Sequence, residues 1–173
     1  FGPLMKRVAT FSLALPCSFP SLPSLAAVEP SPEALALVQR ALDAASRDLR
    51  SPETEAVLSA SIDTWRREKL PEDELAGLLK LRADSRLTSD VAGARRDLDE
   101  EVRLLVGNTD ADPAELPRAL LERARLKFDA RDWAGCASDL RAAIDEDDAL
   151  PAIERDNPYT WELLGRSDKA LDA

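Results

Sequence analysis

Apolar residues recur every three or four positions through most of the chain after Pro30, and no long stretch alternates with the period of a strand. A spacing near 3.6 residues predicts amphipathic helices that bury one face. We expect a first helix at about residues 33–47, further helices after Ser51, Pro71, Asp90, Pro113 and Asp132, and a last helical stretch from Pro158. The residues expected to face inward are Leu35, Val38, Leu42 and Ala45, then Leu58, Ile62 and Trp65, then Leu75, Leu78, Leu79, Ala83 and Leu87, then Val91, Ala94, Leu98, Val102 and Leu105, then Leu116, Leu120, Ala124 and Phe128, then Trp133, Cys136, Leu140, Ala143 and Ile144.

The predicted helix starts carry capping residues. Ser31 and Ser51 are each followed by proline and then glutamate, which is typical of an N-cap, a first helical residue and a carboxylate in the first turn. Asp90 and Asp132 are expected to cap two later helices in the same way. Pro117 is tolerated only near the beginning of its helix, so it could move that start a turn later than Pro113.

Two stretches of the chain are nearly the same. Residues 90–98 are echoed at residues 132–140, and an Arg-Ala pair precedes each copy, at 82–83 and at 123–124. A period of about 40 residues in an all-helical sequence predicts stacked helix pairs, and stacks of this kind expose an extended binding surface.

The composition excludes several classes of function. The 173 residues suit one domain, or a domain with an arm, and the formal charge of −10 disfavours nucleic acid as a partner. The chain has no histidine, and neither a Gly-rich phosphate loop nor a paired catalytic motif is visible, so we expect no enzyme and no cofactor. No metal site is expected either, because Cys17 and Cys136 lack partners at metal spacing and the acidic residues 145–148 lack the spaced ligands of a calcium loop. Cys136 is expected to be a small buried core residue.

Residues 1–30 differ from the rest and are expected to form a proline-rich apolar arm before a helical domain of residues 31–173. Phe1-Gly2-Pro3 resembles the processing site of proteins imported into plastids of red-algal origin. Residues 6–28 have the basic start, apolar stretch and small-residue end of a secretory or thylakoid-lumen signal, interrupted by Pro16, Pro20 and Pro23. The arm would lie either against a partner, membrane surface, lipid or pigment, or against its own domain.

The second helices resemble the tetratricopeptide (TPR) pattern through Trp133, Cys136, Leu140, Ala143 and Ile144, and again through Val91, Ala94, Leu98 and Val102. Ala83 and Ala124 stand where this family has its small packing residue, and residues 164–166 followed by Ala170 look like the turn of a further pair. The resemblance covers residues 33–173 and implies an all-α fold, an α-solenoid of stacked antiparallel helix pairs with about three and a half repeats. The spacing here is longer than the family's usual period of about 34 residues.

The resemblance also implies a binding face, because the first helix of each pair lines the inner surface of such a solenoid. It places Lys80, Asp84, Arg118, Leu121 and Arg125 on that surface. The protein-binding residues expected are Lys80, Arg118, Leu121 and Arg125, whose cations would receive an acidic peptide; the alternative is that they are ordinary solvated residues. A chaperone-tail adaptor is disfavoured, since these helices lack the asparagine of the family's carboxylate clamp.

The function expected from these observations is that of a protein-interaction scaffold whose partners are other subunits of a large membrane complex. The resemblance to plastid TPR proteins of algae favours a peripheral or linking subunit of a thylakoid photosystem–antenna complex, with the lumenal side preferred to the stromal side. The alternative is an assembly factor or adaptor that binds such a complex only transiently.

Overall fold

The computed structural model describes residues 29–146 and 158–172, and these residues form seven helices and no strand. The predicted all-α fold is therefore confirmed for the part of the chain that the structure describes. The predictions made for residues 1–28, including the arm, and for Asp147 and Asp148 of the acidic loop lie outside the described residues. The helices are α1 (Pro32–Asp48), α2 (Pro52–Glu68), α3 (Glu72–Arg86), α4 (Val91–Leu105), α5 (Glu115–Asp129), α6 (Trp133–Asp145) and α7 (Pro158–Leu171).

Four of these helices begin at the residues that the sequence predicts. The Ser31 and Ser51 hydroxyls accept hydrogen bonds from the backbone N–H groups of Ala34 and Thr54, each at 3.1 Å. The Asp90 and Asp132 carboxylates accept from Gly93 at 2.9 Å and from Gly135 at 3.1 Å. Each cap satisfies an N–H group that has no partner inside its helix, so the turn chemistry determines where these helices start.

Each helix packs mainly against the helices that precede and follow it in the chain. Leu58, Leu98 and Leu140, on α2, α4 and α6, are at most 1% exposed, as predicted. The largest group of packed apolar residues includes side chains from α1 to α6, so six of the described helices contribute to one core. None of the described helices has the length and apolar character needed to cross a membrane.

The inward face of α1 is only partly the one that the sequence predicts. Val38 is buried and Leu42 packs against the core, as predicted, but Leu35 is 53% exposed. The other buried residues of the helix are Ala34, Ala41 and Ala44. Alanines allow two helices to approach closely, so the small residues and not the leucine face α2. Val91 is likewise 51% exposed, because it is the first residue of α4 and lies before the buried stripe begins at Gly93 and Ala94.

The turn expected at residues 164–166 is absent, and α7 continues unbroken through Gly165 to Leu171. Leu163 and Ser167 lie one helical turn apart on either side of the glycine, and both are buried against α6. The Ser167 hydroxyl donates to the Leu163 carbonyl at 2.9 Å and contacts the Cys136 sulfur at 3.3 Å. Burial of this face outweighs the helix penalty of one glycine, about 1 kcal/mol.

Trp65 closes the junction between α2 and α3. The side chain is buried, and its indole N–H donates to the carbonyl of Pro71, directly before α3, at 2.9 Å. The tryptophan therefore packs between helices and is not available to a partner.

Helix α5 begins at Glu115, which puts Pro117 in its first turn, where a missing N–H group leaves no hydrogen bond unmade.

Candidate functional site

The first and second helices of two successive pairs are joined by the same buried ion pair. Arg82 on α3 donates to both carboxylate oxygens of Asp97 on α4, at 2.9 Å and 2.7 Å, and Arg86, one turn further along α3, donates to the same carboxylate at 3.0 Å. Asp97 is 4% exposed. A buried carboxylate is tolerated because two cations and a forked hydrogen-bond geometry replace its lost water.

The second copy lies between α5 and α6. Arg123 donates to both oxygens of Asp139 at 2.8 Å and 2.7 Å, and Lys127 lies 2.8 Å from the same carboxylate. Asp139 is also 4% exposed. The repeated Arg-Ala and Asp-Leu fragments in the sequence therefore supply the two partners of the same buried ion pair, Arg82 with Asp97 and Arg123 with Asp139. Sequence reasoning identified both fragments but did not pair them.

Further ion pairs connect helices that are not consecutive in the chain. Lys80 Nζ lies 2.5 Å from Glu122 Oε1 and so joins α3 to α5. Arg66 on α2 pairs with Glu100 on α4, and Arg95 on α4 pairs with the capping Asp132 of α6 at 3.0 Å. These contacts link α3 to α5, α2 to α4, and α4 to the residue that caps α6.

A cluster of carboxyl groups surrounds Lys80 on the side of the molecule where α3 and α5 meet. We name it the Lys80 cluster, and its members are Lys80, Asp84, Glu101, Glu115 and Glu122. Lys80 Nζ also lies 3.7 Å from Asp84 Oδ2, so its charge is already shared by two carboxylates. Glu101 reaches the cluster from α4 and is 3% exposed, and its Oε2 has no hydrogen-bond partner among the residues that the structure describes.

The cluster shifts the pKa values of its own members. Burial is the largest cause that raises the pKa of Glu101, to about 8; Lys80 opposes the shift, and the carboxylates of Glu122, Asp84 and Glu115 add to it. Burial also raises the pKa of Asp84, with Lys80 opposing it. For Glu115, burial and then the carboxylates of Asp112 and Asp73 raise the pKa. Negative charge is therefore crowded on this side of the molecule.

The pKa of Lys80 moves in the direction that follows from this crowding. Burial alone would lower it, but the carboxylates of Glu122, Asp84 and Glu101 together raise it. The ammonium is thus held in its charged form by its neighbours.

A cavity of about 420 Å³ adjoins the cluster. It shares Asp84 and Glu122 with the cluster, and Leu87, Leu98 and Leu126 supply apolar side chains from α4, α5 and the C-terminal end of α3. The remaining lining residues are polar or charged: Arg50, Thr88, Arg125 and Asp129. We call this cavity, with its charged rim, the α3–α5 groove.

The structure brings some of the predicted binding residues together at this groove. Arg125 is exposed and lines it, and Lys80 contacts Glu122 on its rim. Arg118 is half-buried, and its charge opposes the rise in the pKa of Glu115 that burial causes. Leu121 is partly buried and packs against two core groups, so much of its side chain serves the interior.

Sequence reasoning missed Glu101. It lies in the acidic run Asp99-Glu100-Glu101 of α4, a run that reads as a solvated helix face. Its burial depends on α3 and α5 closing over it, which no local pattern reveals. A spacing signal did exist, because Glu101 lies three residues after the buried Leu98 and four before the buried Leu105.

The other candidate chemistry is limited in the described residues. Cys136 is fully buried, as predicted, and burial is the largest cause that raises the pKa of its thiol. The described residues hold no group of three acidic or cysteine side chains arranged to bind a metal ion.

Comparison with known proteins found no protein-family model and no curated protein that matches the chain.

Proposed function

We propose that this chain is a non-enzymatic scaffold that binds another protein along the face formed by α3 and α5. The observation that carries the proposal is the α3–α5 groove, where apolar side chains are flanked by charged residues from α3, from α5 and from the turn between α1 and α2. Grooves with an apolar base and polar rim are typical of sites that hold a segment of a partner.

The same proposal includes the finer architecture, an α-solenoid of TPR-like helix pairs. Its support comes from the ion pairs between non-consecutive helices, Lys80–Glu122 in one row and Arg66–Glu100 and Arg95–Asp132 in the other. The repeated Arg–Asp device inside two pairs adds to that support. Rows of this kind are expected where each pair stacks on the next, and such stacks present their first helices as one continuous surface.

We propose further that the partner is a large membrane complex of the plastid thylakoid, to which the chain is a peripheral or linking subunit. The support is the signal-like composition of residues 6–28 and the resemblance of the helix pairs to plastid TPR proteins. A transient assembly factor for such a complex is the second candidate.

Native fractionation of the source membranes with quantitative mass spectrometry tests the proposal. A linking subunit would migrate with one complex in nearly equal amounts, whereas an assembly factor would migrate with immature forms in smaller amounts. A chain that migrates alone from both membrane and soluble fractions would contradict both.

A further inference from the structure

Helices α3, α5 and α7 carry the same two positions at an interval of 41 residues. Each helix has a large apolar residue and, four positions later on the same helix face, a small residue. These pairs are Leu79 and Ala83, Leu120 and Ala124, and Trp161 and Gly165. The three helices also pack in the same register, because the residue before each large one is buried, at Leu78, Ala119 and Thr160.

On α3 and α5 both positions are buried, and the following helix covers the small residue. All four side chains at these positions are at most 5% exposed. Each alanine packs against a small residue of the next helix and a leucine four positions after it. The covering residues are Ala94 and Leu98 on α4, and Cys136 and Leu140 on α6.

On α7 the same two positions are open. Trp161 is 50% exposed, and a Cβ at Gly165 would meet no atom of the described residues within 4 Å. Helix α7 packs against α6 through another sector, which includes the buried Leu163 and Ser167. The face with Trp161 and Gly165, which we call the Trp161–Gly165 face, thus offers apolar area beside a position where a second helix could approach closely.

The charges beside this face differ from those on α3 and α5. The two cations that hold Asp97 or Asp139 of the following helix are replaced on α7, at the same interval, by Leu164 and Asp168. A helix with an aspartate at the equivalent place would bring a carboxylate against a leucine and a second carboxylate, with no cation to receive it. A helix that fits α7 therefore has no acidic residue there.

We propose that the Trp161–Gly165 face binds one amphipathic helix of a partner protein, packed as α4 packs on α3 and α6 on α5. This helix would carry a small residue opposite Gly165 and a leucine four positions later, directly preceded by an uncharged or basic residue. A second copy of the chain does not supply such a helix from its described residues, because α4 and α6 bury their own small residues and leucines. No residue of α7 lines the α3–α5 groove, so this surface is additional to the proposed one.

Photo-crosslinking in the source cells, with a benzophenone amino acid in place of Trp161, tests this proposal. Tyr159 is the matched control position, because it is an aromatic residue of similar exposure, 52%, on the nearly opposite side of α7. We expect one discrete crosslinked protein from position 161 and little from position 159. Sequencing of the crosslinked segment by mass spectrometry should show the small residue and leucine four positions apart, with no acidic residue directly before the leucine.

Two further substitutions test whether the small position matters. Gly165→Gln should reduce the crosslinked product from position 161 by about tenfold or more, because its side chain fills the place where the helices approach. Gly165→Ala should leave it within about twofold, since α3 and α5 carry alanine at this position. Both changes favour the helix and enter open space, so unfolding would not account for a loss.

Four results would overturn the inference: no product or equal products from positions 161 and 159, a product that is a second copy of this chain, a partner segment without the expected spacing or with an acidic residue before its leucine, or an unchanged yield in Gly165→Gln. The proposed function of the α3–α5 groove would stand or fall separately, by native fractionation.

Discussion

At Asp97 and Asp139, a single buried carboxylate connects three side chains on two helices. Each accepts a forked pair of hydrogen bonds from one arginine and contacts a second cation one turn away. Replacement of such a group leaves two buried cations without a counter-charge, which is worse than never having buried the pair.

We expect Asp139→Ala to lower the free energy of unfolding by about 3–5 kcal/mol, measured by urea denaturation. Asp99→Ala is the matched control, because Asp99 pairs with the same Arg123 but is half exposed and lies farther from it, at 3.4 Å. It should cost less than about 1 kcal/mol. Equal effects of the two changes would show that the Asp139 pair is an ordinary surface contact.

Glu101 makes stability depend on pH. Its pKa in the folded chain is raised to about 8 from an ordinary value of 4.5, so between these values the folded state holds a proton that the unfolded state releases. Stability from this group is therefore fully present below pH 4.5 and declines as pH rises toward 8, by at most about 1.4 kcal/mol per pH unit.

The Glu101→Gln variant should lose this dependence. Urea denaturation at several pH values should show that the free energy of unfolding of the variant rises relative to that of the unchanged chain as pH increases. Above pH 8 the variant should be the more stable of the two. The neighbouring Glu100→Gln change, at a partly exposed carboxylate, is the control and should leave the slope unaltered. Parallel pH profiles for Glu101→Gln and the unchanged chain would place Glu101 in a solvated site.

Helices α4 and α7 each contain a glycine, Gly93 and Gly165, and the space around the two residues differs. Gly93 lies under its capping Asp90, and a Cβ there would come within 2.0 Å of the Asp90 carboxylate. Gly165 lies within α7, and a Cβ there would meet no atom of the described residues within 4 Å. The first glycine makes room for a cap, whereas the second only weakens a helix.

Alanine substitutions should separate these two cases in thermal or urea denaturation. Gly165→Ala should stabilise the chain by about 0.5–1 kcal/mol through helix propensity. Gly93→Ala should not gain this amount, since displacing the Asp90 cap costs about 0.5–2 kcal/mol. An equal gain at both positions would mean that the Asp90 carboxylate contributes nothing to the start of α4.

Helix positions could be predicted from the sequence because caps and periodicity are local. Ser31, Ser51, Asp90 and Asp132 all act where their sequence neighbourhoods indicate. The exposure of Leu35 on α1 could not be predicted, because the alanines of that helix are buried in its place. The continuous α7 was missed for a related reason, since burial on both sides of Gly165 decides it.

The candidate site was only partly predictable from the sequence. The face carrying Lys80 and Arg125 followed from the TPR resemblance, and both residues do lie at the α3–α5 groove or on its rim. The charge balance there did not follow, because it depends on Glu101 from α4 and Glu122 from α5 meeting Lys80. Such meetings require the packed arrangement of three helices.

At the scale of the whole molecule, we propose that the face formed by α3 and α5 binds another protein. The most direct measurement is site-specific photo-crosslinking in the source cells, with a benzophenone amino acid at Arg125 on the groove or at Ser138, an exposed residue of α6. We predict one discrete crosslinked protein from position 125 and little crosslinking from position 138. Equal crosslinking from both positions, or none from position 125, would contradict the account.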